Sequence, residues 1–334
     1  MKPVVENLVR LREIGLLNSL ALSFLIFASP AIAVETFPFK TVRLVVPAPP
    51  TSTPDLIARV LSDRLSAKWA QPIIVENRSG GANAIGADAV AKAQPDGHTL
   101  LISTNNVLCI SPLLSSKMSF DPDSDLVSIT LLGMTPFLLV TGPSVDAGSV
   151  SGLIAEAKRR SKGLTYATSG VGSNQHMFAE MLRSLTGIPM TPVPYKGGPQ
   201  SIIDVVGGVV DMQFGAVPPT LEHVRAGKLK ALAVTGQRRV NVLPDVPTFG
   251  EAGVPGFNAE GWIGLSATAG TPPDALARIN RDVVEILKDS EVVRALASYG
   301  IDAQAGTAAD MVERISRERE AWARIISASK ISVE

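Results

Sequence analysis

The chain has 334 residues, 46% hydrophobic and 19% charged, a balance that describes a folded globular protein and excludes a disordered one. Thirty-one basic residues stand against thirty-one acidic ones, and no basic run is interleaved with aromatics, so nucleic acid is not an expected partner. The single cysteine, Cys109, excludes an internal disulfide.

At the N-terminus Lys2, Arg10 and Arg12 flank the apolar run GLLNSLALSFLIFASP, and AIA follows at 31–33. Small residues at that place suit the cleavage site of a signal peptide. The run is shorter than the ~20 residues a membrane-spanning helix needs, and Asn18 interrupts it. Residues 1–33 are therefore expected to be a cleaved leader, with the mature chain starting near Val34 in a periplasm-like compartment. Glu6 and Glu13 are unusual in a leader and leave a start downstream of Met1 open. No cysteine sits at the cleavage site to take a lipid.

From Thr41 the text alternates strand and helix: VRLVV (42–46), a helix over 54–69, IIVEN (73–77), a helix over 83–93, and TLLIST (99–104). Such alternation predicts an α/β fold with a mainly parallel sheet flanked by helices. In the first helix Ile57, Val60, Leu61, Leu65 and Trp69 fall on one stripe, while Arg59, Asp63 and Lys68 lie elsewhere. The pattern restarts with LTYATSG (164–170) and a helix over 173–187, whose Met177, Met181, Leu182 and Leu185 should face inward. It continues through VDMQFGAV (210–217) and LKALAVTG (229–236). After GWIGLSA (261–267) only helices are expected, over 272–290, 291–300 and from Thr307 to about Ser329.

Two long apolar stretches, 128–142 and 259–267, flank the second unit and read as crossings between domains. The expected organisation is therefore domain one over 34–137 and 263–334, and domain two over 138–262. A chain that leaves one domain, builds another and returns makes a hinged, two-lobed protein whose seam can take a small ligand.

Catalytic patterns are absent. His98, His176 and His223 are scattered, and His176 with Glu180 is half a metal site at most. G-x-S-x-G does not occur, and Cys109 in NNVLCI reads as a small buried hydrophobe. GVGSNQ (170–175) opens a helix after a strand but has Gln175 where a dinucleotide fingerprint needs its third glycine. No enzyme activity, metal or cofactor is expected.

What remains is simpler. Helices starting near Pro54 and near Asn174 each follow a strand directly, so their free N–H groups and positive dipole ends should meet at the seam. Two facing anion sites suit a small dicarboxylate, with charge-assisted hydrogen bonds on the order of 1.5–3 kcal/mol each.

Several blocks carry a family likeness: FPFKTVRLVVP (37–47), QPIIVENRSGGANAIGADAVAKAQPDGHTLL (71–101), VPYKGGPQSIIDVVGGVVDM (193–212), AGKLKALAVTGQRR (226–239) and LPDVPTFGEAGVPGF (243–257). In these the chain resembles the tripartite tricarboxylate transporter receptors, also called the Bug family of periplasmic solute-binding proteins. The resemblance implies a type II periplasmic-binding-protein fold that captures a small carboxylated solute between its lobes. It also implies a two-component membrane permease, or a sensor protein, as partner, and a monomer is expected. In the family, backbone amides of two loops hold the carboxylates. Carried over, those loops supply Ala48, Thr51, Ser52, Thr53 and Asp55 from the first domain and Ser169, Gly170, Val171, Gly172 and Ser173 from the second. The VPYKGG segment adds Tyr195, Lys196, Gly197 and Gly198, and Thr104 and Asn105 after the third strand are expected at the same edge.

One stretch departs from the family. A glycine-rich run usually joins the proline to the aspartate here, whereas this chain has PAPPTSTPD (47–55). Thr51, Ser52 and Thr53 cannot cheaply take left-handed conformations, and Pro49, Pro50 and Pro54 have no N–H. Thr53 is the expected N-cap, with Pro54 in the first helical position. The reading is a non-catalytic receptor for a small organic acid. Its alternative is an interaction or signalling protein that keeps the fold but binds a protein partner.

Overall fold

The computed structural model describes residues 36–334 apart from 115–117, 196–197, 258, 330 and 332–334. The expected leader, and Lys196 and Gly197, lie outside the described residues. Strands β1 (Val42–Val46), β2 (Ile73–Asn77) and β3 (Thr99–Thr104) alternate with helices α1 (Thr53–Trp69) and α2 (Ala84–Ala91). Then come β4 (Leu126–Thr135), β5 (Phe137–Thr141), α3 (Val150–Arg159), β6 (Leu164–Thr168), α4 (Asn174–Thr186), β7 (Met190–Pro194) and α5 (Gly198–Val206). β8 (Met212–Ala216), α6 (Val217–Arg225), β9 (Lys230–Val234) and β10 (Gly261–Thr268) complete the sheets, save for the two-residue β11 (Asp302–Ala303). α7 (Pro273–Lys288), α8 (Ser290–Ser298) and α9 (Ala308–Ser329) supply the C-terminal helices.

The strands form two sheets, in the orders β11-β4-β10-β3-β1-β2 and β7-β6-β8-β5-β9. The α/β, two-lobed architecture is the expected one, but the sheets are mixed instead of mainly parallel. β1 runs parallel to β2 and β3, and β6 parallel to β7 and β8, as successive βα units require. β10 and β5 run against them. These are the strands by which the chain passes between sheets, so they enter from the opposite end. The first crossing is two strands, because Pro136 has no N–H to continue a ladder and divides β4 in one sheet from β5 in the other.

Most of the predicted stripe of α1 is core: Ile57, Leu61, Leu65 and Trp69 are buried with Leu44, Leu100, Ile102 and Leu265 of the six-stranded sheet and Ile279 and Val283 of α7, while Val60 is only partly buried at its edge. Each such side chain contributes about 1.5–3 kcal/mol. A second cluster runs from Val45 and Leu101 through Phe137 and Phe178 to Phe214, joining the lobes. Phe178 is its centre, with ring centroids 5.1 Å from Phe137, 5.9 Å from Phe214 and 6.0 Å from Trp322 of α9. Met177, Met181 and Leu182 are buried as predicted, but Leu185 is 45% exposed. It lies in the last turn of α4, past the surface that the sheet covers.

Candidate functional site

A cavity of about 460 Å³ lies at the seam between the sheets. Loops after β1, β2, β3, β6 and β7, the end of β8 and the crossing strands wall it, since the C-terminal ends of these parallel strands open there.

The loop after β1 contributes Ala48, Pro49, Thr51, Ser52, Thr53 and Pro54. Its shape is fixed by an aspartate instead of by glycine. Thr51 sits in the left-handed region at φ 65°, and its N–H donates to Asp55 Oδ2 at 2.9 Å. The other Asp55 oxygen accepts from Asn77 Nδ2 at 2.9 Å, and Arg59 Nε also reaches Oδ2, at 2.9 Å. Burial alone would raise the Asp55 carboxyl, but the bonds from Arg59, Asn77 and Thr51 outweigh it and hold its pKa below the usual range. Ser52 occupies the N-cap, one residue before the expected Thr53, and its hydroxyl donates to Pro49 O at 2.6 Å without capping the helix. The Ser52 N–H goes to the same carbonyl, at 3.3 Å. Left-handed threonine was read as costly, and it occurs because the charged Asp55 accepts a bond from that very amide.

The loop after β2 was assigned no site residue, yet Ser79, Gly80, Gly81, Ala82 and Asn83 all line the cavity. Its four residues 80–83 have positive φ, including Ala82 at 49° and Asn83 at 78°. Backbone held in this way is concentrated at ligand sites. Asn83 Nδ2 donates to Thr104 Oγ1 at 3.3 Å, tying this loop to the next. The legible signal was the pair Gly80-Gly81 between a strand and a helix.

After β3 the chain passes into a π-helical turn, Asn106–Ile110, which buries Asn105, Asn106 and Cys109. Burial pushes the Cys109 thiol far up, so it stays protonated and acts as the small hydrophobe its sequence context suggested. Asn106 Nδ2 donates across the seam to Gly172 O at 2.9 Å. Asn105 Oδ1 accepts from Asn174 Nδ2 at 3.0 Å, a second bond between the lobes.

In the second lobe Ser173 is the N-cap of α4: its hydroxyl accepts from His176 N–H at 3.3 Å and lies 2.8 Å from Thr168 Oγ1. His176 Nδ1 in turn accepts from Gly172 N–H at 3.2 Å, and burial holds the imidazole pKa below its ordinary value. That ring therefore organises the loop. No group of three or more potential metal ligands occurs among the described residues.

Of the expected site residues, Ala48, Thr51, Ser52, Thr53, Thr104, Asn105, Ser169, Ser173 and Tyr195 line the cavity. Asp55, Gly170 and Gly172 do not line it but shape its loops, and Val171, also outside the lining, is exposed. Gly198 opens α5. Asn174, Gln175, Gln213, Phe137, Phe214 and Trp262 were not expected and also line it. The strand residues among them carry no local signal, because a cavity wall and a core face read alike in an apolar strand.

No charged side chain lines the cavity among the described residues. Four lining residues instead hold a buried polar atom without a protein partner: Thr53 Oγ1, Asn105 Nδ2, Asn174 Oδ1 and Gln213 Nε2. Buried polar atoms are normally bonded, so their concentration in one place marks it as made for a ligand or for water. The aromatic lining turns its polar ends away. Trp262 Nε1–H donates to Glu318 Oε1 at 2.7 Å, and Tyr195 OH donates to Asp204 Oδ2 at 2.7 Å.

Comparison with known proteins gives consistent results. A family model described as "Tripartite tricarboxylate transporter family receptor" matches residues 57–331. The chain is 34% identical over 296 residues to Protein BugT of Bordetella pertussis, covering 88% of this chain and 91% of that one. Among solved structures, R. palustris Rpa4515 with adipate is similar at TM-score 0.85 and 32% identity, covering 89% of this chain and 99% of that one. MatC from Rhodopseudomonas palustris with bound malate is similar at TM-score 0.81 and 30% identity, covering 87% of this chain and all (100%) of that one.

Proposed function

The chain belongs to the tripartite tricarboxylate transporter receptor family, periplasmic solute-binding receptors and not enzymes, and from that premise we propose that it captures a small organic acid in the cavity at the seam. The observation that carries this reading is the set of uncharged donors, from both lobes, around unpartnered buried polar atoms. The helix starts at Thr53 and Asn174 add N–H groups and positive dipole ends on opposite sides. Relatives with adipate and with malate support a carboxylate as ligand.

In this reading the lobes rotate about the crossings at Pro136 and Glu260, with domains over 34–137 and 263–334 and over 138–262. The strands support that division to within a residue or two, since Phe137 pairs in the five-stranded sheet and Trp262 in the six-stranded one. A ligand bonded to both lobes favours the closed form by its differential affinity for it. The same reading has residues 1–33 removed on export, and a membrane permease or a sensor protein receiving the loaded receptor.

Thermal-shift and calorimetric screening of the protein against di- and tricarboxylates, amino acids, nicotinate-like and aromatic acids tests this. At least one acid should raise the melting temperature, and X-ray scattering should show compaction with it. No stabilising acid and no compaction would reject the receptor reading in favour of a protein-binding role.

A further inference from the structure

The two sides of the cavity are unequally equipped to hold an anion. In the loop after β1, Pro49, Pro50 and Pro54 have no N–H to offer. The Thr51 N–H is committed to Asp55 Oδ2 at 2.9 Å and the Ser52 N–H to Pro49 O at 3.3 Å. That leaves the loop the Thr53 N–H, and beside it stand two neutral side-chain atoms without a protein partner: Thr53 Oγ1, on a residue 5% exposed, and Asn105 Nδ2, on a residue with no exposure at all (0%). The opposite side keeps a capped helix start at Ser173, followed by Asn174 and Gln175 in the wall.

The Asn105–Asn174 pair sharpens the point. One 3.0 Å bond joins the two amides, and Asn105 Nδ2 and Asn174 Oδ1 are left over. If both amides are turned over, the pair still leaves one NH₂ and one carbonyl. A carboxylate only accepts, so it can satisfy the NH₂ but sets two acceptors together at the carbonyl. A hydroxyl or a carboxamide satisfies both. Trp262 and Tyr195, bonded outward, together with Phe137 and Phe214 turn apolar faces to the body of the ligand.

We propose that the ligand is a monoacid bearing a second, uncharged group that both donates and accepts a hydrogen bond, a carboxamide or a hydroxyl. Its carboxylate lies at the start of α4, and its neutral group lies against Thr53 and the Asn105–Asn174 pair. The proposal rests on the receptor reading above and narrows its ligand class.

Calorimetry with matched probes tests it: succinate and adipate, their monoamides, the corresponding ω-hydroxy acids, and the plain monoacids butanoate and hexanoate. A monoamide or hydroxy acid should bind about tenfold more tightly than both the dicarboxylate and the plain monoacid of the same length, because a site built to hydrogen-bond a group rejects analogues lacking it. In Thr53→Val that margin should shrink, because the amide and hydroxy probes lose more affinity than the plain monoacid does. A dicarboxylate or plain monoacid binding as tightly as its amide and hydroxy counterparts overturns this proposal and leaves the receptor reading standing. Failure of every acid, here and in the wider screen, overturns the receptor reading itself.

Discussion

Thr51 shows how a single side chain can replace a glycine at a cavity wall. At φ 65° a β-branched residue bears the clash between its Cβ and the backbone, roughly 1–2 kcal/mol for an L-residue in the left-handed region. Asp55 holds it there by accepting the Thr51 N–H. Glycine relieves the clash but gives the unfolded chain more freedom, about 0.5–1 kcal/mol in the other direction. Thr51→Gly should therefore leave a net gain of about 0.5–1 kcal/mol in urea unfolding. A loss of stability would mean that the side chain, and not the aspartate, holds the loop.

Among the elements, α4 joins stability to the site most directly. Its residues Met177, Phe178 and Leu182 are buried in the shared core, while Ser173, Asn174 and Gln175 at its start face the cavity. The Ser173 hydroxyl accepts the His176 N–H and so fixes the first turn. Ser173→Ala removes that cap and should cost about 1 kcal/mol of unfolding free energy. It should also weaken any bound acid, since a frayed first turn no longer presents its N–H groups together. Ser173→Thr, which keeps the acceptor, should restore both properties. An alanine variant with full stability and full affinity would remove this helix start from the site. Helix α1 starts differently, with Ser52 turned back to Pro49 and a proline in its first turn.

Across the whole molecule, α9 is the element that ties both lobes to the crossing strands. Its Trp322 stacks on Phe178 of α4, and Arg319 Nε donates to Leu108 O of the first lobe at 2.8 Å. Its Glu318 accepts from the indole of Trp262 at 2.7 Å. Burial pushes the Glu318 pKa up to about 7 from an ordinary 4.5, outweighing Arg314 and Trp262, which pull it down. The folded state thus keeps a proton that the unfolded state has lost, and through this group the protein loses stability as pH rises from about 4.5 to about 7. Glu318→Gln has no such titration and can still accept the indole N–H. Its melting temperature relative to the wild type should therefore rise between about pH 5 and about pH 8. An unchanged difference across that range would show that Glu318 titrates normally.

Much of this was legible in the chain because it depends on neighbours in sequence. The stripe Ile57, Leu61, Leu65, Trp69 announced both a helix and its buried face, and strand followed directly by helix announced loops at a sheet edge. The polar residues of those loops, Thr51, Ser52, Thr104, Asn105 and Ser173, came from the family resemblance, and they do line the cavity. Leu185 was misplaced because periodicity cannot say where a helix outruns the sheet beneath it. Sheet direction was misjudged at β5 and β10, since strand orientation depends on the route of the chain and not on local pattern. Phe137, Gln213 and Trp262 could not be assigned, as their strands differ from core strands only in what stands opposite. The alternation of elements, the lack of a catalytic pattern in the text and the unusual proline-rich jaw all follow from residue type and spacing alone. That the Asn77 and Arg59 side chains secure the Asp55 carboxylate holding the Thr51 amide, and that Asn105 meets Asn174, is visible only in the fold, because such pairings depend on distances set by packing.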